Sequence, residues 1–176
     1  FGLQRLLVEH EALAKAFAAK GEEFATVLKA GRTQMQDAVP MTVGQEFNGW
    51  AHTLREDQAR TREVMVGLRE INLGATAIGT GITADPSYAE AVRSELSKLI
   101  GMDLVTSPDL IEATSDTGVF MSLSGTLERA AVKLSKIAMA IEKSARAGDL
   151  ELPARETQAL VDEYEKVKDA LNEMIA

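Results

Sequence analysis

Two adjacent residues, Thr33 and Gln34, have side chains that can bind an anionic ligand. They lie in a polar stretch at residues 31–42 that follows a run with helical periodicity. A hydroxyl and a primary amide can both donate hydrogen bonds to a carboxylate without adding charge. The same stretch also fits a helix C-cap at Gly31 followed by a polar turn, and chemistry alone favours that simpler interpretation because polar residues are common in loops.

A glycine-rich stretch at residues 74–81 has the superficial look of a phosphate-binding loop. It lacks the Gly-Lys-Ser/Thr ending of a P-loop, and no strand is predicted before it. The βαβ unit that a dinucleotide fingerprint needs is not predicted either. So many small residues are better explained by tight backbone packing between helices.

The two histidines, His10 and His52, lie on separate predicted helices. Neither stands at metal-ligand spacing from a second histidine or a glutamate, so the sequence predicts no metal site. We interpret them as surface residues or hydrogen-bonded core residues. Acids and hydroxyls also gather at residues 112–116, where Asp116 as the cap of the following helix explains much of the pattern.

Helices are predicted to position all of these residues. Apolar side chains recur at steps of three and four along four long segments, which are residues 3–30, 42–71, 115–145 and 157–176. Two shorter helices are predicted at residues 85–100 and 109–113, and Thr42 with Gln45 predicts a capping box. Because no strand alternation is found, the predicted fold is all-α, a bundle of about four long helices and two short ones.

Composition narrows the class of protein. The chain of 176 residues has a net charge of −8 and no cysteine, which argues against nucleic-acid binding, disulfides and thiolate zinc sites. No stretch approaches the roughly 20 apolar residues of a membrane span. The first residues lack the basic n-region of a signal peptide, and we expect a cytoplasmic protein. They also have the pattern of a helix interior, so we expect the chain to be a piece or an edited form.

Several motifs carry a resemblance to a known family. Residues 31–47 resemble the motif that follows the first long helix in the aspartase/fumarase superfamily, and residues 71–81 resemble the glycine loop of the same proteins. Residues 112–118, 135–137 and 150–155 continue the match in family order. Gln34 looks more like the aspartate ammonia-lyase branch, since fumarases usually carry histidine at that place.

The resemblance implies a central helical domain from a tetramer in which three subunits share each active site. It implies elimination of ammonia from L-aspartate to give fumarate, a carbon–nitrogen lyase reaction, without a cofactor in the chemistry, although some members respond to divalent metal. It assigns Thr33 and Gln34 to binding the substrate carboxylate. The family's base is a serine on a glycine-serine loop, followed by a lysine and an asparagine.

The chain departs from the family after Arg155. Residues 156–176 continue into a helix with a heptad seam, the serine loop is not found, and the serine/threonine-asparagine motif expected before Phe1 is missing. Thr83 stands where the family often has asparagine. We therefore expect an aspartase-like segment at residues 1–155 and an added or divergent bundle helix at 156–176, forming one compact domain.

Two functional hypotheses follow from this departure. The chain is a fragment or remodelled derivative of an aspartate ammonia-lyase, inactive alone because no catalytic residue is retained. Alternatively, it is a non-catalytic helical scaffold, engineered or natural. Self-association through the long helices and weak binding of a dicarboxylate are the interactions that we expect.

Overall fold

A computed structural model describes residues 1–34, 36–146 and 154–175 of the chain. Four long helices and two shorter ones dominate this described part, which confirms the predicted all-α bundle class. Four short strands lie between them. The elements are α1 Gly2–Glu23, β1 Leu28–Thr33, β2 Gln36–Thr42, α2 Val43–Gly67, β3 Glu70–Ile71, α3 Tyr88–Ile100, β4 Val105–Thr106, α4 Leu110–Ser115, α5 Gly118–Arg146 and α6 Ala154–Ile175.

The chain divides into two compact units. A bundle unit consists of Phe1–Thr61 and Leu127–Ala176, and a middle unit consists of Arg62–Thr126. None of the helices in the described ranges is long and apolar enough to cross a membrane.

The core of the bundle unit is built from apolar faces of α1, α2, α5 and α6. Aromatic rings form its centre, where the ring centroids of Phe47 and Trp50 lie 4.9 Å apart and those of Phe17 and Phe47 lie 5.9 Å apart. Burying one such side chain contributes about 1.5–3 kcal/mol to folding. The cluster contains Leu6, Leu13, Ala14, Phe17, Val43, Phe47, Ala51, Leu54, Leu134, Ile137, Val167 and Ala170.

The last helix, α6, packs against α1 within the same chain. Val167 and Ala170 are buried in the core cluster, and Tyr164 packs against it half-buried. An ion pair between Arg5 and Glu173 joins the exposed edges of the two helices. The heptad seam predicted for this helix consists of Leu160, Tyr164, Val167, Leu171 and Met174. The inward position that it predicts for Val167 is confirmed, while the side chains of Leu160, Leu171 and Met174 lie outside what the structure describes.

The middle unit is organised by a short parallel strand pair and a glycine-rich loop. In the strand pair, Glu70 lies opposite Val105 and Ile71 opposite Thr106. Gly79 in the loop has a φ of +97°, and a Cβ there would lie 2.3 Å from the Cα of Ile111. The backbones of the loop and of α4 thus lie too close together for a side chain at Gly79, which confirms the tight-packing interpretation of this stretch.

Two acidic residues cap helices in the middle unit. The carboxylate of Asp109 accepts hydrogen bonds from the backbone N–H groups of Ile111 and Glu112, at 2.9 and 3.1 Å. Asp116 accepts one from the N–H of Gly118 at 2.9 Å, where α5 begins. This bond satisfies a free N–H at the start of α5, as the capping role predicted for Asp116 requires.

The C-terminal ends predicted for two helices were wrong, and so was the turn predicted between α1 and α2. The first helix ends at Glu23 rather than residue 30, and α2 ends at Gly67 rather than residue 71. The polar stretch taken for a helix cap and turn is instead an antiparallel hairpin of β1 and β2. Its partners lie up to 14 residues apart in sequence (Leu28 opposite Thr42), so local helical spacing could not reveal the pairing.

Candidate functional site

Thr33 and Gln34 lie at the tip of the β1–β2 hairpin. Thr33 pairs with Gln36, so the strands are joined by a two-residue turn. Gln34 has a φ of +51°, in the left-handed region that two-residue hairpin turns require and that residues other than glycine adopt at some cost. The turn places the two candidate side chains at adjacent positions on the protein surface.

A bulge in β1 shapes the hairpin below its tip. The register shifts between Ala30 and Arg32, on either side of the buried Gly31. A Cβ at Gly31 would lie 3.0 Å from the carbonyl oxygen of Val39 and 3.1 Å from the sulfur of Met41. A side chain here would press on the opposite strand, so Gly31 in β1 allows the two strands to approach closely and is not the helix cap that the sequence suggested.

Polar contacts hold both ends of the hairpin. Near the tip, the Nε of Arg32 donates to the Oδ1 of its cross-strand partner Asp37 at 3.0 Å. At the base, the N–H of Gln45 donates to the Oγ1 of Thr42 at 3.0 Å. In return, the N–H of Thr42 donates to the Oε1 of Gln45 at 2.9 Å. The capping box predicted from the sequence is thus confirmed, and it fixes where β2 passes into α2.

The tip presents hydrogen-bond donors that carry no charge. Both Thr33 and Gln34 are exposed, and neither side chain makes a hydrogen bond to another described residue. The nearest charges along the strands, Arg32 and Asp37, already pair with each other. A hydroxyl and an amide side by side can accommodate one carboxylate, and they have no group suited to removing a proton from carbon.

A second concentration of polar side chains lies inside the bundle unit, and the sequence reasoning missed it. We call it the polar layer: His10 of α1, Asp57 of α2, and Arg129 and Lys133 of α5. His10 is fully buried and Asp57 is 1% exposed. The Oδ1 of Asp57 accepts from the Nε of Arg129 at 3.2 Å and from the Nζ of Lys133 at 3.0 Å.

Burial controls the protonation of His10. It lowers the pKa of the imidazole to about 4, against the opposing effect of the Asp57 carboxylate, which raises it. The ring is therefore neutral at pH 7, with one nitrogen as a donor and the other as an acceptor.

Periodicity alone could have identified the buried members of the polar layer. His10 follows Leu6 by four residues and precedes Leu13 by three, so it continues the apolar stripe of α1. Asp57 likewise follows the buried Leu54 by three residues. The surrounding segment, residues 55–63, is rich in charged residues, which predicts that one side of the helix faces solvent. The other histidine, His52, has an exposed side chain, as the surface interpretation predicted.

Comparison with known proteins places the chain among lyases. A family model described as lyase matches residues 2–159. Aspartate ammonia-lyase of Pseudomonas canavaninivorans is 53% identical over 161 residues, which cover 88% of this chain and 34% of the relative. Aspartate ammonia-lyase of Pseudomonas aeruginosa is 57% identical over 137 residues, covering 77% of this chain and 29% of the relative.

Solved structures agree with these relatives. The fumarate lyase:delta crystallin of Brucella melitensis bound to cobalt superposes with a TM-score of 0.77 at 54% identity, over 80% of this chain and 30% of that one. The class II fumarase of Schistosoma mansoni gives 0.72 at 26% identity, over 77% of this chain and 31% of that one. The chain thus spans about a third of the length of the proteins it matches.

Proposed function

The chain belongs to the lyase family of aspartases and fumarases, and we propose that its β1–β2 hairpin holds a substrate carboxylate in an aspartate ammonia-lyase type of elimination. The observation that carries the proposal is the hairpin tip, where Thr33 and Gln34 present a hydroxyl and an amide side by side. Two aspartate ammonia-lyases, each identical to the chain at more than half of the aligned residues, support aspartate as the substrate.

The reaction gives these donors a defined task. A base removes a proton from the carbon next to one carboxylate, the C–N bond breaks, and ammonia leaves as the C=C bond of fumarate forms. As the proton departs, the adjacent carboxylate gains negative charge, which preorganised donors stabilise. The Oγ1 of Thr33 and the Nε2 of Gln34 supply such donors, and neither competes for the departing proton.

The base is the part that we expect this chain not to supply. Resemblance to the family calls for a glycine-serine loop after Arg155, whereas residues 156–175 belong to α6. We therefore propose that the chain as it stands binds dicarboxylates weakly and does not turn them over. Two exposed hydrogen-bond donors correspond to a dissociation constant above about 1 mM.

Two measurements test this function. Fumarate formation is followed by its ultraviolet absorbance, with micromolar protein and millimolar L-aspartate, and no turnover is expected. Fumarate is then titrated into 15N-labelled protein while the side-chain amide signal of Gln34 is observed. This signal is expected to shift, and Thr33→Val is expected to weaken the response.

The matched control is Gln36→Ala, which removes an amide from the same hairpin just beyond the turn and leaves the response of Gln34 intact. Clear turnover by the chain alone contradicts the missing base. A Gln34 signal that ignores fumarate, or responds equally in Thr33→Val, contradicts the carboxylate site.

A second candidate function, a helical scaffold, is favoured by the packing of α6. Val167 and Ala170 are buried in the core that α1 contributes to, so α6 covers an apolar surface that is otherwise free to associate. On this proposal α6 is an added helix following an aspartase-like segment at residues 1–155, and self-association stops below a tetramer. Light scattering that finds four chains per particle contradicts it.

A further inference from the structure

An ion pair joins the β1–β2 hairpin to the first turn of α2. The Nζ of Lys29, in β1, donates to the Oε2 of Glu46, in α2, at 2.5 Å. Most of each side chain is shielded from solvent, since 16% of Lys29 and 25% of Glu46 is exposed. The pair therefore connects the hairpin that carries the candidate carboxylate site with a helix of the bundle core.

The hairpin benefits from such a connection because its own packing is sparse. Residues 36–40 of β2 are all exposed, and Gly31 is the one residue of β1 that is buried. A two-stranded hairpin is at best marginally stable in water without further packing. At its base, the N–H of Val43 donates to the carbonyl oxygen of Val27 at 2.9 Å, beside the capping box. These bonds fix where the hairpin begins, and the ion pair acts further along β1.

Small rotations of the hairpin produce large displacements at its tip. Thr33 lies four residues beyond Lys29 in β1, which corresponds to about 13 Å along a strand. A rotation of about 10° around the position of Lys29 would therefore move the tip by about 2 Å. Groups that bind a ligand together have to be held to within about 0.5 Å of their productive positions, so the direction of the hairpin matters for the carboxylate site.

The charges of this pair suit a fixed contact within the protein. The carboxylate of Glu46 lies in the first turn of α2, where the partial positive charge of a helix N-terminus stabilises it. Charges that are shielded from water are screened less by salt than exposed ones. Removing one partner also leaves the other charge unpaired in a partly enclosed place, which disfavours separation of the two.

We propose that Lys29 and Glu46 are positioning residues for the carboxylate site at the hairpin tip. Their ion pair fixes the direction of the hairpin relative to α2, and hence the place at which Thr33 and Gln34 meet the ligand. This inference rests on the proposed function. Neither Lys29 nor Glu46 contacts the ligand, and both act through the hairpin.

Residual dipolar couplings of the backbone N–H groups test the direction of the hairpin without any ligand. In the unsubstituted protein, the couplings of the hairpin and of α2 are expected to fit one alignment tensor. Lys29→Met keeps a side chain of similar length and removes the charge, so its hairpin couplings should depart from that fit, whereas Lys29→Arg should retain it. A lower urea midpoint in Lys29→Met with unchanged couplings would indicate a purely structural role and overturn the proposal.

Lys20→Met is the matched control for Lys29→Met. The side chain of Lys20 is 15% exposed and pairs with Glu23 of its own helix at 2.8 Å, so the control removes a similarly shielded ion pair from α1. The hairpin couplings should stay unchanged in this variant. Should Lys29→Met not fold, Glu46→Gln removes the same ion pair from the α2 side and is expected to change the hairpin couplings in the same way.

Titration with fumarate gives the functional readout. At constant ionic strength, the dissociation constant measured at the Gln34 amide is expected to increase about threefold in Lys29→Met and to stay unchanged in Lys29→Arg and Lys20→Met. An unchanged dissociation constant in Lys29→Met overturns the positioning role. If fumarate does not shift the Gln34 signal even in the unsubstituted protein, the carboxylate site is wrong, and the couplings alone decide whether the ion pair directs the hairpin.

Discussion

The hairpin tip and the polar layer concentrate polar side chains in the same unit, with opposite solvation. At the tip, Thr33 and Gln34 are exposed and uncharged, held at a turn with a left-handed residue. In the polar layer, His10 and Asp57 are buried, and two cations converge on one carboxylate. The tip keeps its hydrogen-bonding groups exposed, whereas in the polar layer the Asp57 carboxylate joins α2 to α5 through Arg129 and Lys133.

Polar side chains have different roles in these two regions. Polar groups that stay in water add little to the free energy of folding, and they can bind a ligand without first breaking internal contacts. Buried polar groups contribute to folding only while their partners remain, and removing one partner exposes the full desolvation penalty of the others. Substitutions in the polar layer should therefore change stability strongly, and substitutions at the tip should change it little.

The largest expected effect is that of Asp57→Ala. The substitution leaves Arg129 and Lys133 beside a buried site without their carboxylate, and we expect a loss of about 3 kcal/mol in the free energy of unfolding, since both cations keep some contact with solvent. Urea denaturation measures it.

Glu56→Ala is the matched control for Asp57→Ala. It removes the neighbouring carboxylate, which also faces Lys133 at 3.7 Å but is 59% exposed, and should change the free energy of unfolding by less than about 0.5 kcal/mol. Equal losses in the two variants would show that burial does not distinguish these carboxylates.

Acid should destabilise the protein through His10. The pKa of its imidazole is about 4 in the folded protein and 6.5 when free, so the unfolded state binds more protons between these values. Stability from the neutral ring is complete above pH 6.5 and is lost as the pH falls toward 4. Between pH 7 and pH 5 the free energy of unfolding should fall by about 2 kcal/mol through this group.

Urea midpoints across this pH range test the effect, using His10→Phe and His52→Gln. The slope should flatten in His10→Phe, which removes the buried imidazole, and persist in His52→Gln, which removes the exposed one. The groups that face His10 electrostatically, Asp57 with its partners Arg129 and Lys133, are retained in both variants. A slope that survives in His10→Phe assigns the acid sensitivity elsewhere.

A substitution at the base of the hairpin should change the free energy of unfolding less than a substitution in the polar layer does. Thr42→Ala removes the hydroxyl that accepts from the N–H of Gln45 and should lower the free energy of unfolding by about 1 kcal/mol. Thr53→Ala, on the same helix, removes a hydroxyl that only bonds back to the carbonyl of Gly49 and should be nearly neutral. Equal losses in both variants would contradict a specific capping role.

Sequence patterns predicted the structural features that are formed by residues close together along the chain. The helical stripes gave the long helices, and Thr42 with Gln45 gave the capping box, because these interactions join residues three or four positions apart. The hairpin was missed because Leu28 and Thr42 pair across 14 residues, and its strands, with Gly31 and Pro40, lack clean alternation.

The two polar sites were predictable to different degrees. Thr33 and Gln34 were predicted as a carboxylate site through the family motif around them, whereas their residue types alone had favoured a helix cap and a polar turn. His10 and Asp57 fall on the buried stripes of α1 and α2, so spacing could have found them. Their convergence with Arg129 could not be read from the sequence, because it depends on how three helices pack together.

The smallest change in the free energy of unfolding is expected at the hairpin tip, and the direction of that change is what tests the comparison. Gln34 has a φ of +51°, which costs a residue with a side chain about 1 kcal/mol or more and costs glycine almost nothing. Gln34→Gly should therefore raise the free energy of unfolding by about 0.5 kcal/mol, after the greater freedom of glycine in the unfolded chain is counted.

Gln36→Gly, at the first residue of β2, should instead lower the free energy of unfolding, by about 0.5–1 kcal/mol. Gln36 has no left-handed φ, so glycine there only increases the freedom of the unfolded chain. Gln34→Gly also removes the amide proposed to bind the carboxylate, so its response to fumarate should disappear while its stability increases. A higher free energy of unfolding together with the loss of fumarate binding would show that the amide of Gln34 serves binding. It would also show that glutamine at this turn lowers stability. A loss of stability in Gln34→Gly would mean that the glutamine side chain supports the hairpin itself, and the tip would then resemble the polar layer more than it differs from it.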